Sequence, residues 1–118
     1  MKKIIFYSYL KCSTCIKAAK WLKSKDFEFQ LIDIVKEPPP FNYLSLALEQ
    51  YSDDKKRIFN TRGKAFKNLN LDIYGLSRVE IIKLLSSDGK LIKRPFLIFE
   101  GEKVILGFNE IEYDKHLI

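Results

Sequence analysis

The residues best suited to chemistry in this sequence are two cysteines, Cys12 and Cys15, which are separated by Ser13 and Thr14. A disulfide between them would close a very short loop, so it would restrain the unfolded chain only weakly and would serve poorly as a structural staple. A cysteine attacks other groups as its thiolate, and a thiolate can displace a thiol from a disulfide. The pair therefore predicts reversible thiol–disulfide chemistry, with Cys12 as the reactive thiolate and Cys15 as its redox partner.

Two other interpretations of the pair remain open. A closed zinc site takes about four protein ligands. Beyond the two cysteines the sequence offers only His116 as a nitrogen or sulfur ligand of the usual kind, so zinc would have to be shared between chains. The second alternative is a pair of inert cysteines half buried in a helix. We expect redox chemistry, with no metal and no tightly bound cofactor.

The chain around the cysteines predicts the elements that hold them. Residues 3–8 are rich in β-branched and aromatic side chains and predict a buried strand, and helical spacing follows over about 13–24. Alternation over 27–31 predicts a second strand, which completes a right-handed βαβ unit. Cys12 then lies where a strand meets a helix, and the free N–H groups of that helix favour a thiolate. Lys11 adds a neighbouring positive charge.

The rest of the chain predicts a helical segment followed by a hairpin. Three prolines at 38–40 interrupt the strand pattern, and apolar residues then recur at helical spacing. A capping box that begins at Ser77 starts a further helix, whose apolar stripe is Val79, Ile82 and Leu85. The remaining predicted elements are two strands over 95–99 and 103–106 and a short helix over about 109–116.

This order of elements is typical of an α/β protein with a thioredoxin-like fold. The prediction is a mixed four-stranded sheet with an inserted helical subdomain. We expect a single domain over 1–118, in which the thioredoxin-like part comprises 1–36 and 88–118. The helical insertion then covers about 41–87.

Composition limits the setting of this chemistry. The chain has 118 residues, of which 47% are hydrophobic, enough for one core. It carries neither an apolar run of about eighteen residues nor the pattern of a signal peptide, so we expect a cytoplasmic protein without membrane contact. The net charge of +6 comes from scattered basic residues on a solvated surface and suits anionic ligands. Motifs for direct nucleic-acid binding are absent from the sequence.

Four landmarks along nearly the whole chain together point to a known family. They are Cys12 after the first strand, Asn60-Thr61-Arg62-Gly63, Lys93-Arg94-Pro95 and Leu106-Gly107-Phe108-Asn109. In these landmarks the sequence resembles the ArsC/Spx family. That family includes glutaredoxin-dependent arsenate reductases, YffB-type proteins and Spx-type redox regulators.

The resemblance implies roles for individual residues. Cys12 would attack an oxyanion such as arsenate, or a disulfide, while Arg62 and Arg94 hold the anion. Planar guanidinium groups suit a tetrahedral oxyanion and also stabilise a thiolate. In a thioredoxin-like fold the bond from Arg94 to Pro95 is expected to be cis. The implied electron donor is glutathione, a glutaredoxin or a thioredoxin. The substrate-binding segment would also include Lys11, Ser13, Thr14 and Pro95.

Three departures separate this chain from individual branches of the family. Arsenate reductases carry a further arginine in the segment matching Leu106-Gly107-Phe108, which is missing here and argues against arsenate as the substrate. Cys15 is the second cysteine of the Spx-type arrangement, in which the pair works as a disulfide switch. Asp54 stands where Spx-type regulators carry a glycine that contacts RNA polymerase.

Two functional hypotheses follow from these observations. The first is a thiol-dependent reductase that acts on a small oxyanion or a thiol or disulfide, with Cys15 or glutathione resolving the adduct on Cys12. A glutaredoxin is its candidate partner. The alternative is an Spx-type redox-switched transcriptional regulator, which binds the RNA polymerase alpha subunit through a Cys12–Cys15 disulfide switch.

Overall fold

The apolar run after Lys3 forms a central strand, as its almost continuous hydrophobicity predicts. In the computed structural model, which describes residues 2–118, β1 (Ile4–Ser8) pairs in parallel with β2 (Gln30–Asp33) and antiparallel with β3 (Phe96–Phe99). A further strand, β4 (Lys103–Leu106), adds antiparallel to β3, so the order is β2-β1-β3-β4. The predicted mixed four-stranded sheet is confirmed; Met1 lies outside the described residues.

Helices connect and cover these strands. They are α1 (Ser13–Ser24), α2 (Phe41–Gln50), α3 (Lys64–Leu69), α4 (Arg78–Ser87) and α5 (Glu110–Leu117), with 3₁₀ helices at Lys55–Ile58, Ile73–Gly75 and Gly89–Leu91. α1 connects the parallel strands β1 and β2, and the segments from α2 to the last 3₁₀ helix lie between β2 and β3. Within residues 2–118, no helix has both the length and the apolar character needed to cross a bilayer.

Both faces of the sheet are buried, which explains why β1 and β3 are apolar at nearly every position. Side chains alternate in β1, so Ile4 and Phe6 join the core on one face while Ile5 and Tyr7 join the core on the other. α1 and α5 cover the first face with Ala18, Trp21, Leu22, Tyr113 and Leu117. The helices between β2 and β3 cover the second face and place a separate layer beside the sheet.

Two predicted details differ from the structure. The second strand begins at Gln30 instead of residue 27, because its register is set by pairing with β1, from Ile5 opposite Gln30 to Ser8 opposite Asp33. Phe27 and Phe29 pack against the core before the strand begins.

The apolar stripe of α4 also differs from the prediction. Val79 is 49% exposed, while Ile81 is buried together with Ile82 and Leu85. The capping box at Ser77 is present as predicted. It fixes where the helix begins, but packing against the sheet decides which face is turned inward.

Gly89 marks a close approach between the end of the helical layer and the end of β2. This glycine is buried, and a Cβ built on it would overlap the carbonyl oxygen of Ile34 and lie 2.7 Å from the carbonyl carbon. The same Cβ would be 3.0 Å from the Cα of Val35. Only a residue without a side chain lets these two backbones meet, and their contact sets the path of the chain from α4 towards Arg94 and β3.

Candidate active site

Cys12 occupies the N-cap of α1, where the chain leaves β1 and turns into the helix. Its backbone is extended, and its N–H donates to the carbonyl oxygen of Tyr9 at 3.0 Å. Cys12 Sγ accepts a hydrogen bond from the backbone N–H of Cys15 at 3.3 Å. The sulfur therefore takes the place that an oxygen of serine or aspartate fills at other helix starts, and it lies at the positive end of the helix dipole.

Arg94 is the guanidinium that reaches this thiol. The pairing of β1 with β3 sets Tyr7 opposite Phe96, which brings the start of β3 beside the loop that follows β1. The Arg94–Pro95 peptide bond is cis, as expected. The Arg94 guanidinium lies over the ring of Tyr9, 4.8 Å from the ring centre. Its Nη1 is buried and has no hydrogen-bond partner among residues 2–118.

The electrostatic balance at Cys12 favours its thiolate. Partial burial raises the pKa of the Cys12 thiol, but hydrogen bonds from the side chain and backbone of Cys15 and from Arg94, with the Arg94 charge, outweigh it. The net effect holds the pKa below the ordinary cysteine value. Cys12 is half-buried, so an incoming sulfur or oxyanion can reach it.

Cys15 has the opposite character. It is buried, and desolvation together with its hydrogen bond to Cys12 raises the pKa of its thiol to about 11. Both cysteines are free thiols in this structure. The two cysteines of one sequence motif thus differ: Cys12 is accessible and has a lowered pKa, whereas Cys15 is shielded and stays protonated while Cys12 carries the charge.

The other predicted site residues fall in different places. Lys11 and Ser13 are exposed to solvent, where water screens a lysine charge. Thr14 is half-buried and Pro95 is buried at the start of β3. Arg62 is exposed and lines a depression separate from the groove of Arg94.

Two neighbouring depressions are lined by the arginines of the predicted site. One has a volume of about 560 Å³, and its lining includes Arg94 and Thr14, which is two residues after Cys12. The other has a volume of about 520 Å³ and holds Arg62. Arg57, Lys93 and Leu106 line both depressions, so the two lie side by side.

Some residues of the site were missed by sequence reasoning. Tyr9 supports the guanidinium of Arg94, and its position three residues before Cys12 was the available signal. Arg57 lies in a 3₁₀ helix far along the chain, and nothing in the local pattern connects it to the cysteines. In the part of the chain that the structure describes, no three His, Cys, Asp or Glu side chains form a cluster that could hold a metal ion.

Replacing Arg94 by methionine is expected to raise the pKa of the Cys12 thiol, because a hydrogen bond and a nearby positive charge are both removed. Alkylation by iodoacetamide at neutral pH should slow roughly tenfold, the size expected for one lost charge-assisted hydrogen bond. The rate is followed against pH in a Cys15→Ser background, and its midpoint should move upward. Arg78→Met is the matched control. Arg78 is on α4, and its side chain donates to the carbonyl oxygen of Ser45 on α2 at 3.0 Å. A midpoint unchanged from that of the parent would contradict the assignment.

Comparisons with known proteins agree with this architecture. A model of the ArsC family matches residues 7–116. The uncharacterized protein YusI of Bacillus subtilis (strain 168) is 43% identical over 115 residues, covering 96% of this chain and 97% of YusI. The global transcriptional regulator Spx of Lactiplantibacillus plantarum is 32% identical over 114 residues, covering 97% of this chain and 86% of Spx.

A solved structure shares the fold in detail. The crystal structure of a possible arsenate reductase from Streptococcus mutans UA159 aligns with a TM-score of 0.85 and 38% identity. That alignment covers 94% of this chain and 97% of the other. Because the family model spans nearly the whole chain and the sheet, helices and motif cysteine are all in place, this protein belongs to the ArsC family.

Proposed function

We propose that this protein is a thiol-dependent oxidoreductase in which the Cys12 thiolate attacks a disulfide or an oxyanion. The observation that carries the proposal is the approach of the Arg94 guanidinium to Cys12 at the start of α1, with Arg94 Nη1 buried and without a hydrogen-bond partner among residues 2–118. The guanidinium can stabilise the thiolate before reaction, and its unpartnered Nη1 can donate to an anionic group of the substrate as the thiolate charge is lost.

The reaction with a disulfide proceeds by two displacements. Cys12 Sγ attacks one substrate sulfur, forming a mixed disulfide, and the other substrate sulfur leaves as a thiolate that takes a proton from solvent. Cys15 then gives up its proton to solvent and attacks Cys12 Sγ, which releases the second substrate thiol. The substrate gains two electrons, and the protein is left with a Cys12–Cys15 disulfide.

The environment of Cys15 suits its role in the second displacement. Part of the rise in the pKa of Cys15 comes from the hydrogen bond to Cys12 and from the Cys12 charge. Once Cys12 is in a mixed disulfide it carries no charge, so that contribution is lost and Cys15 deprotonates more easily. The resolving thiol is therefore activated at the step that needs it.

The oxidised protein needs a reductant to return to the dithiol. Two molecules of a low-molecular-weight thiol such as glutathione, or one dithiol protein of the glutaredoxin or thioredoxin kind, would reduce the Cys12–Cys15 bond. Glutathione could also resolve the adduct on Cys12 directly. Such thiols are abundant in reducing compartments, so we place the reaction in the cytoplasm.

A Cys15→Ser variant tests this assignment. With a small neutral disulfide such as hydroxyethyl disulfide and no added thiol, it should accumulate a stable mixed disulfide on Cys12, because the resolving thiol is missing. The wild-type protein should pass through the adduct and end as an internal disulfide. Mass spectrometry of the intact proteins separates the two products. If the variant forms no adduct, Cys12 is not the nucleophile; parallel turnover assays with arsenate show whether an oxyanion is also accepted.

A redox-switched regulator is the second candidate, favoured by the Cys12–Cys15 pair and by the relative named as a global transcriptional regulator. One residue counts against docking on RNA polymerase in the Spx manner. Asp54 Oδ1 accepts a hydrogen bond from the hydroxyl of Tyr74 at 3.1 Å, so a carboxylate and a ring occupy the proposed contact position. A pull-down with the C-terminal domain of the RNA polymerase alpha subunit, with reduced and oxidised protein, tests this candidate. Binding in neither state removes it.

A further inference from the structure

Basic side chains line the two neighbouring depressions, and the surface that the depressions form together is here called the cationic groove. Its cations are Lys56, Arg57, Arg62, Lys93, Arg94 and Lys103. The carboxylates that share its lining are Asp54 and Glu112. Six cations against two carboxylates create a strongly positive local potential, which attracts anions.

No carboxylate of residues 2–118 forms an ion pair with these lysines and arginines. Among residues 2–118 the single ion pair joins His116 to Glu112, at 3.2 Å. Asp54 accepts from the hydroxyl of Tyr74. The two carboxylates of the groove are thus engaged by a histidine and a tyrosine. Arg94 faces the Cys12 sulfur and Lys103 Nζ lies 2.9 Å from His116 Nδ1, so the charges left to an external anion are those of Lys56, Arg57, Arg62 and Lys93.

The size of the cationic groove indicates an extended ligand. Its two depressions have volumes of about 520 and 560 Å³. Each is in the range that holds a drug-sized molecule, whereas a tetrahedral oxyanion beside Arg94 would occupy a small part of one of them. A ligand that extends from Arg94 to Arg62 passes Arg57 and Lys93, which line both depressions.

The surroundings of Cys12 favour a polypeptide as that ligand. Leu10 and Ile16 are neighbours of Cys12 in the chain, and they are 83% and 48% exposed. Burying such exposed apolar side chains against a partner protein is energetically favourable. Single-stranded nucleic acid needs open aromatic faces for stacking. The rings of Tyr9 and Tyr51 instead carry the guanidinium groups of Arg94 and Arg57, both 4.8 Å from the ring centres.

We infer that the cationic groove binds an acidic segment of a partner protein and presents the cysteine of that segment to Cys12. The inference rests on the proposed function, because it names the substrate class of the same thiol. The cysteine of the segment arrives in a disulfide, and Cys12 Sγ displaces the other sulfur as a thiol, as in the first displacement described above. Glutamate or aspartate side chains on either side of that cysteine bind the lysines and arginines of the groove.

The test uses the Cys15→Ser variant, in which Cys12 is the sole remaining cysteine. Three synthetic peptides carry one cysteine as a thiopyridyl disulfide, flanked by glutamate, glutamine or lysine residues. Release of thiopyridone, followed by absorbance, reports attack by Cys12. The glutamate peptide should react roughly tenfold or more faster than the glutamine peptide at low salt, and the lysine peptide slowest. High salt should bring the three rates together, since it screens the charges.

Variants of the groove locate the effect. Arg57→Gln and Lys93→Gln should each reduce the ratio of the glutamate rate to the glutamine rate. Lys83→Gln, an equal change of charge at an exposed position of α4, should keep the ratio of the parent. The ratio is read within each variant, so an altered thiolate population affects both peptides alike and cancels.

Each outcome bears on the inference. Equal rates for the glutamate and glutamine peptides overturn it while leaving the proposed function in place. If no peptide reacts at Cys12, the proposed function fails and the inference fails with it. A single-stranded oligonucleotide that blocks the reaction, when glutamate has no advantage over glutamine, would assign the groove to nucleic acid and also overturn the inference.

Discussion

A Cys12→Ser variant is expected to lose thiol-dependent turnover of every substrate that the wild-type protein reduces. The loss should be at least about 1,000-fold, because the variant lacks the nucleophile and a serine hydroxyl is not ionised at neutral pH. Cys15 cannot take over the role. Its sulfur is buried, with 1% of the residue exposed, and the pKa of its thiol lies at about 11. Turnover is measured with hydroxyethyl disulfide and glutathione, against a blank without protein.

The stability of the variant provides the control for this experiment. Serine is a good N-cap residue, and its oxygen can accept the Cys15 N–H that Cys12 Sγ now accepts. The free energy of unfolding in urea should therefore stay within about 0.5 kcal/mol of that of the wild type. A stable Cys12→Ser protein that still turns over the disulfide would remove the catalytic assignment. A stable and inactive one would support it.

A Gly89→Ala substitution is expected to destabilise the protein more than a glycine-to-alanine substitution at any other glycine of this chain. The new Cβ would overlap the carbonyl oxygen of Ile34 and press on Val35, and all of these atoms belong to backbone. Backbone cannot turn away as a side chain can, so the 3₁₀ helix at Gly89–Leu91 and the end of β2 must separate. We expect a loss of about 3 kcal/mol or more in the free energy of unfolding, measured by urea denaturation.

Gly75→Ala is the matched control for this prediction. A Cβ on Gly75 meets only the carboxyl group of Asp72, at 3.6 Å or more, which is an ordinary contact. An alanine there should change the free energy of unfolding by less than about 1 kcal/mol. Urea midpoints that are equal for Gly89→Ala and the wild type would show that the two segments separate without cost, and the close approach would then not determine the fold.

The elements near the cysteines were the most predictable part of the fold. The strand before Cys12 and the helix α1 were identified from local patterns, because a buried strand and an amphipathic helix each have a characteristic period. The capping box at Ser77 was equally local, since it involves residues three apart. Predictions that depended on a partner element were less accurate. The predicted start of β2 was wrong because the register is set by the pairing of two strands. The predicted burial of Val79 was wrong because packing decides which face of a helix is buried.

The sequence by itself determined the local setting of the Cys12 sulfur. Two cysteines three residues apart at the start of a helix place the backbone N–H of Cys15 against the Cys12 sulfur, because helix geometry fixes atoms that are one turn apart. The same local geometry separates an accessible sulfur from a buried one.

Only the tertiary structure decided which distant charges lie near that sulfur. The pairing of β1 with β3 brings Arg94 to the thiol. Arg62 has the same charge and was predicted to have the same role, but it lines the neighbouring depression. A charge acts over a distance in space, and the pairing of strands and the packing of helices set the distance between residues that are far apart in the chain.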